Sequence, residues 1–474
     1  MRHTAAQRLD RLPEGPFHRR LAAMIAAGLF FDTFDLYLAG GVMIALVHSG
    51  WSTMAQNAHF VSAGFLGMLI GAIVAGIVGD RYGRRFSFQF NLLLFGLASL
   101  AAAAAPDIHW LIGLRFVMGL GLGAEVIVGY GMIGEFIPPA RRGKWAAILT
   151  LVANSSLLGA TLASYFIIPA FGWRWMFVIV GLGALLTWAA RKKLPESPRW
   201  LESVGRFDEA DAIVTEIEAE VAAGRVLPEP VAVAEMPMQS FRMRDLFGRR
   251  LLRATLLGIT VNIVGFSALF GFVIWLPTFL VQKGLSVSSS LGYASLMATG
   301  ALLGAGLAAL LSDRWGRKKG IAGMSFVAAA LGLLYPHANS LVVATVLGLL
   351  LFAALYFCGT LAFSTYVPEL FPTELRLRGT AISNVAGRLA SMLAPQVVVL
   401  VFQSGSGING VTAILAALLV VQGLVVGLFG IETRHRALDS QIESLALGVG
   451  PEPDAEPKSV GSATASAPAT APRR

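Results

Sequence analysis

The chain of 474 residues is 55% hydrophobic and only 14% charged, with a mean hydropathy of +0.68, whereas a water-soluble chain carries roughly 25% charged residues. Its formal net charge of +9 suggests a polyanionic partner until the placement of the charges is considered, and its one cysteine, Cys358, excludes a disulfide framework and a cysteine-built metal site. Apolar blocks of about 20 residues, the length that crosses a ~30 Å hydrocarbon core, alternate with short polar punctuation. A polytopic membrane protein is predicted.

After a polar segment, 1–20, helices are predicted over 21–47, 58–78, 86–106, 109–135, 145–169 and 174–190. The first block is too long for a signal-peptide core and no cleavage site follows it, so it reads as a retained helix. A connector, 191–250, follows; its stretch RFDEADAIVTEIEAEVAAG spaces Ile213, Ile217 and Val221 at helical intervals among acids and predicts a short amphipathic helix. Six more spans are predicted over 251–280, 290–312, 319–339, 341–367, 379–402 and 409–431, followed by a tail, 432–474, whose Pro, Ala, Ser and Thr cannot build a core. The 52 glycines fit this scheme, because in membranes small residues let helix backbones approach closely.

With twelve spans so placed, nearly all of the 37 Lys and Arg fall on one side. Arg174 and Lys283 lie on the other, and Arg115 and Arg388 fall inside helices. The excess of basic loops assigns that side to the cytoplasm, with both termini there. The basicity therefore reports topology, and no nucleic-acid partner is expected.

An internal repeat organises the chain. GDRYGRR around Asp80 recurs as SDRWGRK around Asp313, 233 residues on, and EFIPPARRGK from Glu135 recurs as ELFPTELRLRGT from Glu369, 234 residues on. Two unrelated motifs sharing nearly one offset imply that 21–190 and 251–431 are homologous six-helix bundles.

These motifs resemble those of the major facilitator superfamily. GIVGDRYGRR (Gly76 to Arg85) is similar to its loop signature between the second and third helices, with SDRWGRKK as the second copy, in which Ala309 stands for the opening glycine. RFVMGLGLGAE (Arg115 to Glu125), PESPRWL (Pro195 to Leu201), PELFPTELRLRG (Pro368 to Gly379) and ETRHRALD (Glu432 to Asp439) extend the resemblance. The acid pair in FFDTFDLYLAGG, with GLGLGAE and GRLASMLAP, resembles the aromatic-acid and metabolite:proton symporters; sugar porters share PESPRWL and the ELFPTELRLRG type of loop. The resemblance implies the major facilitator fold, a secondary transporter driven by a proton gradient with no bound cofactor, and a bacterial inner membrane. A small-molecule substrate, the lipid bilayer and a monomeric state are expected.

Residue roles follow from charge and depth. Asp32 and Asp35 lie three apart, hence on one face of the first helix near its middle. A charge there costs about 2.5–3.5 kcal/mol even on permissive scales, so it should meet a cavity or a partner. Asp32, Asp35 and Glu125 are the proton-coupling candidates. Arg115 and Arg388 are candidates for holding an anionic substrate, and Tyr37, Trp275 and Tyr356 for lining its cavity. At the cytoplasmic ends Asp80, Arg81, Arg84, Arg85 and Glu135, with Asp313, Arg314, Arg317, Glu369 and Arg378, are candidates for a charge latch that closes in one state and opens in another. The competing reading of all these groups is permanent structural salt bridges.

Gly119, Gly121 and Gly123 have no βαβ context, so helix packing explains them better than a dinucleotide loop. There is no Walker A sequence, HExxH helix or cysteine constellation, so no enzyme is expected. Proton-coupled uptake of a small organic acid is the first expectation. A sugar or polyol porter, an exporter and a non-transporting sensor are the alternatives.

Overall fold

The computed structural model describes residues 4–222, 226–230, 243–372 and 375–433. Twelve long helices cross from face to face: α1 Pro16–His48, α2 Met54–Tyr82, α3 Arg84–Ala103, α4 Ile108–Phe136, α5 Pro139–Phe171, α6 Arg174–Arg191, α7 Leu252–Val273, α8 Val287–Trp315, α9 Arg317–Leu334, α10 Leu341–Leu361, α11 Arg376–Val401 and α12 Gly407–Phe429. α11 and α12 run together as one apolar stretch of 52 residues. At 1.5 Å per residue that is about 78 Å, twice a hydrocarbon core and more. Gly405 (φ 89°) and Gly407 (φ 55°) break it where the chain must reverse. The predicted spans are all present. The tail from 434 and the disorder expected of it lie outside the described residues.

Local chemistry explains the starts and breaks. Thr53 and Gln56 form a capping box at α2, Asp107 accepts from the amides of His109 and Trp110 at α4, and Ser286 and Ser340 cap α8 and α10. Pro16 and Pro139 sit in the first turns of α1 and α5, where no intrahelical donor is lost. α7 breaks before a seven-residue extension, Leu276–Gln282, which opens with Pro277. α10 widens into a π-turn, Ala362–Tyr366, just before Pro368.

Packing repeats with a step of six helices. α2 lies on α4 as α8 lies on α10, α1 on α5 as α7 on α11, and α3 on α6 as α9 on α12. These are two pseudo-symmetric six-helix bundles, and they meet through α2 against α11 and α5 against α8, itself a symmetric pair. In α4 the glycines face α2: a Cβ on Gly119 would lie 2.3 Å from Gly64 O, and one on Gly123 1.9 Å from Met68 O. Leu186, Leu310 and Leu400, 73%, 75% and 71% exposed, point outward toward the bilayer. The chain is a multi-pass membrane protein.

The face where both chain ends emerge carries the basic loops and is called the basic face below; the other is the plain face. On the basic face the connector helix Phe207–Ala222 buries Ala210, Val214, Ile217 and Val221. Val214 rather than Ile213 completes the buried stripe, and Ile213 is only partly covered. A short helix, Ala5–Asp10, packs beside it: Arg8 pairs with Asp211 and, at 2.6 Å, with Glu218, and Arg11 also reaches Glu218 at 2.7 Å. Asp10 takes Arg142 at 2.9 Å and Arg199 at 2.6 Å. Burial raises the Glu218 carboxyl, but the hydrogen bonds from Arg8 and Arg11 outweigh it and leave the group below its ordinary value.

Candidate functional site

The intramembrane charges gather in and against the first bundle. Asp35 on α1 is fully buried, and Arg115 on α4 donates from Nη1 to its Oδ2 at 2.5 Å and from Nη2 to its backbone oxygen at 3.1 Å. The Arg115 guanidinium also stacks on Phe60 at 5.0 Å. Glu125, further along α4, forms an ion pair at 2.7 Å with Arg191. Arg191 was expected on the connector. It is the last residue of α6 and is fully buried, because α6 runs on until its guanidinium reaches Glu125 beneath α1.

Asp32 differs from both. It is 3% exposed, makes no hydrogen bond among the described residues, and leaves Oδ1 buried without a partner. It lines a narrow crevice of about 170 Å³ with Gly28, Leu92, Phe95, Gly121, Leu122 and Glu125. Across the bundle interface it faces Arg388, half-buried at the middle of α11, whose charge acts on Asp32 from beyond ion-pair distance. The structure therefore closes two acid–arginine pairs, Asp35–Arg115 and Glu125–Arg191, and leaves a third, Asp32 and Arg388, apart.

Of the aromatic candidates, Tyr37 and Tyr356 come together. The Tyr356 hydroxyl donates to the Tyr37 hydroxyl at 2.6 Å, joining α1 of one bundle to α10 of the other. Trp275 is 1% exposed at the break of α7, next to Ile274, whose carbonyl would lie 2.9 Å from a Cβ on Gly40. More bridges between the bundles lie toward the plain face. Ser62 donates to Met392 O at 2.6 Å, Gln396 donates to His59 Nδ1 at 3.1 Å, and Phe65 packs on Phe270 at 4.9 Å. The molecule is closed toward the plain face.

The charge motifs of the basic face form one device in each bundle. Arg84 bonds Asp80 at 2.6 Å and Glu135 at 3.3 Å, and Arg85 donates to Lys192 O. Arg81 is exposed and lies over the ring of Tyr82. In the second bundle Arg317 reaches Glu369 at 3.4 Å, which also accepts from Thr433 at 2.5 Å; Arg314 and Arg378 are exposed. The side chain of Asp313 lies outside the described ones.

Sequence reasoning missed the acids that organise both motifs. Glu196 Oε1 accepts from the amides of Arg84 and Arg85 at 2.9 and 3.0 Å, at the N-terminus of α3. Glu432 does the same for Arg317 and Lys318 at 2.9 and 3.3 Å, at the N-terminus of α9. Carboxylates there satisfy free amides and meet the positive end of the helix dipole. Gly83 (φ 98°) and Gly316 (φ 79°) turn the chain, and a Cβ on either would come within 2.3 or 2.5 Å of its capping carboxylate. The signal was available as a third repeated pair, since Glu196 and Glu432 stand 236 residues apart inside the two motifs PESPRWL and ETRHRALD.

Known proteins agree with this architecture. Residues 25–395 match the family model described as Major Facilitator Superfamily. The chain is 36% identical over 444 residues to the inner membrane metabolite transport protein YdjE of Escherichia coli (strain K12), covering 91% of this chain and 97% of that one. It is 34% identical over 440 residues to the niacin transporter NiaP of Acinetobacter baylyi, covering 91% and 98%. Among solved structures, the partially occluded inward open conformation of the xylose transporter XylE from E. coli superposes with a TM-score of 0.72, at 20% identity, over 89% of this chain and 99% of that one. The chain is a member of the major facilitator superfamily and a secondary transporter, not an enzyme.

Proposed function

We propose that the chain is a proton-coupled symporter of a small organic acid, working by alternating access in a bacterial inner membrane with both termini in the cytoplasm. Residues 21–190 and 251–431 are its two rocking units, each monomer being complete. One observation carries this reading: Arg388 is an intramembrane cation with no ion-pair partner among the described residues, facing an equally unpartnered Asp32. Arg115 and Arg191 are each neutralised by an acid.

Coupling follows from charge balance. With Asp32 ionised, its field and that of Arg388 offset each other across the interface. A proton on Asp32 leaves Arg388 uncompensated in a poorly polarisable site, which favours an anion beside it. Proton and carboxylate then enter as a neutral sum, the load that costs least to carry through a low-dielectric path. Tyr37 and Tyr356 sit at the seam where the bundles separate, so they are the ring-bearing groups suited to meet the substrate body. The basic-face motifs around Asp80 and Asp313 are the gate that must rearrange when that face closes. The name of NiaP fits this picture, because niacin is a pyridine carboxylate.

A second reading, a sugar or polyol porter, draws on the neutral cluster of the second bundle. There Gln422 and Asn262 each bury a carbonyl oxygen without a partner, and Gln422 lines a cavity of about 240 Å³ with Cys358 and Phe363. Hydroxyls would satisfy such acceptors. The two readings separate in proteoliposomes offered nicotinate, benzoate and a hexose with and without an acid-outside gradient. Gradient-driven accumulation of a carboxylate supports the first; accumulation of the hexose alone refutes it.

A further inference from the structure

The pair Glu125–Arg191 is built with more care than helix packing requires. Arg191 Nε donates to Met24 O at 2.9 Å and Nη2 to Ile25 O at 3.2 Å, both carbonyls of α1. Its guanidinium lies 3.9 Å from the ring centre of Phe88 on α3, and its Nη2 lies 2.7 Å from Glu125 on α4. Four helices thus meet at one charge. Gly28 of α1 makes the approach possible, because a Cβ there would sit 1.9 Å from Arg191 Nη2 and 2.1 Å from Glu125 Oε1. One helical turn above Gly28 is Asp32, in the same crevice as Glu125.

The second bundle supplies an internal control. At the repeat spacing of 233 residues, Asp32 and Glu125 correspond to Gly265 and Cys358, and both of these line the equivalent cavity. The same helix junction packs there without an acid at either position. Charge at this junction is therefore not demanded by the fold, and a buried ion pair is in any case a weak source of stability beside an apolar isostere. It occurs in the bundle that holds the unpartnered acid.

We infer that Arg191 is a positioning residue for coupling, which clamps Glu125 in place as a fixed counter-charge and so sets the proton affinity of Asp32 without meeting proton or substrate. The inference rests on the reading of Asp32 as the coupling carboxylate. The charged groups acting on Asp32 are Glu125 on α4, Arg191 on α6, Arg388 on α11 and its own neighbour Asp35, which Arg115 neutralises. Glu125 and Arg191 act with opposite sign, so their joint effect is small while either alone is large.

The test needs no substrate. Purified protein is titrated by infrared difference spectroscopy, and the protonated-carboxyl band that Asp32→Asn removes is followed. Glu125→Gln leaves Arg191 bare and should move its midpoint roughly 1 pH unit down, the lower end of what a charge within about 4–6 Å does. Arg191→Gln leaves Glu125 bare and should move it up by a similar amount. The double variant should return close to wild type, and Arg191→Lys, which keeps the charge, should shift it least among the single variants. Should a single variant not assemble, the other single against the double, which buries no bare charge, still reads the sign. Midpoints that stay at the wild-type value in every folded variant, or a double variant displaced as far as a single, would overturn the inference, as would the absence of any band assigned to Asp32. The parent reading fails separately, if Asp32→Asn still accumulates substrate against a gradient.

Discussion

The Asp35–Arg115 pair separates structure from transport through one variant series. Both side chains are buried, 0% and 3% exposed, and joined at 2.5 Å, with Arg115 also held by Asp35 O and Phe60. Removing one partner of such a pair strands a charge and costs about 3–5 kcal/mol; removing both strands nothing. Arg115→Gln should therefore lower the apparent melting temperature in detergent well below that of Asp35→Asn/Arg115→Gln, with a coupling energy of at least ~1 kcal/mol between the sites. The pH dependence carries a sign. In Arg115→Gln the stranded Asp35 can escape by taking a proton, so the deficit should shrink as pH falls. In Asp35→Asn the stranded Arg115 cannot shed its proton, and the deficit should not shrink. Melting curves at several pH values on the four proteins measure all of this. A double variant no more stable than Arg115→Gln, or a deficit in Arg115→Gln that grows on acidification, would refute the reasoning.

Other outcomes follow from the same geometry. Glu196→Gln weakens the cap on α3 and should cost about 1 kcal/mol or more of stability, while Gly83→Ala should cost more, since it adds positive-φ strain to a collision with Glu196; equal melting of Gly83→Ala and wild type would contradict this. Tyr356→Phe deletes the donor of the 2.6 Å bond to Tyr37 across the bundles and should make the plain face open more readily, read as faster alkylation of a cysteine placed at Ser62; unchanged alkylation would refute a latch. The bonds of Glu218 to Arg8 and Arg11 should hold fully above the ordinary carboxyl value of 4.5 and fail as pH falls through its depressed folded value, because protonation removes the acceptor charge. Proteolysis near the N-terminus should then rise on acidification in wild type and already be fast at neutral pH in Glu218→Gln.

Much of the fold was legible because the bilayer makes hydropathy a strong constraint. Apolar length located each span, basic loops ordered the faces, and the offsets at Asp80 and Glu135 revealed the repeat. Charge partnership was less legible, since it depends on depth and helix rotation that a linear pattern does not encode. Arg191 is the clearest case: it begins the run RKK after an apolar segment, the usual mark of a helix leaving the membrane, yet it turns back beneath α1 where Gly28 leaves room. Arg115 looked available to a substrate because Asp35, 80 residues earlier, gives no local sign of meeting it. The pairing of Tyr37 with Tyr356, 319 residues apart, likewise requires both bundles in place. Glu196 and Glu432 were within reach of the repeat argument, and only the motif-by-motif treatment hid them.

The account turns on Asp32 as the group that binds the transported proton. Reconstituted Asp32→Asn should still exchange labelled for unlabelled carboxylate across the membrane, because Arg388 remains to hold the anion and the bundles can still rock. It should not accumulate that carboxylate when an acid-outside gradient is imposed, whereas wild type should. Accumulation by Asp32→Asn at the wild-type level would contradict the account.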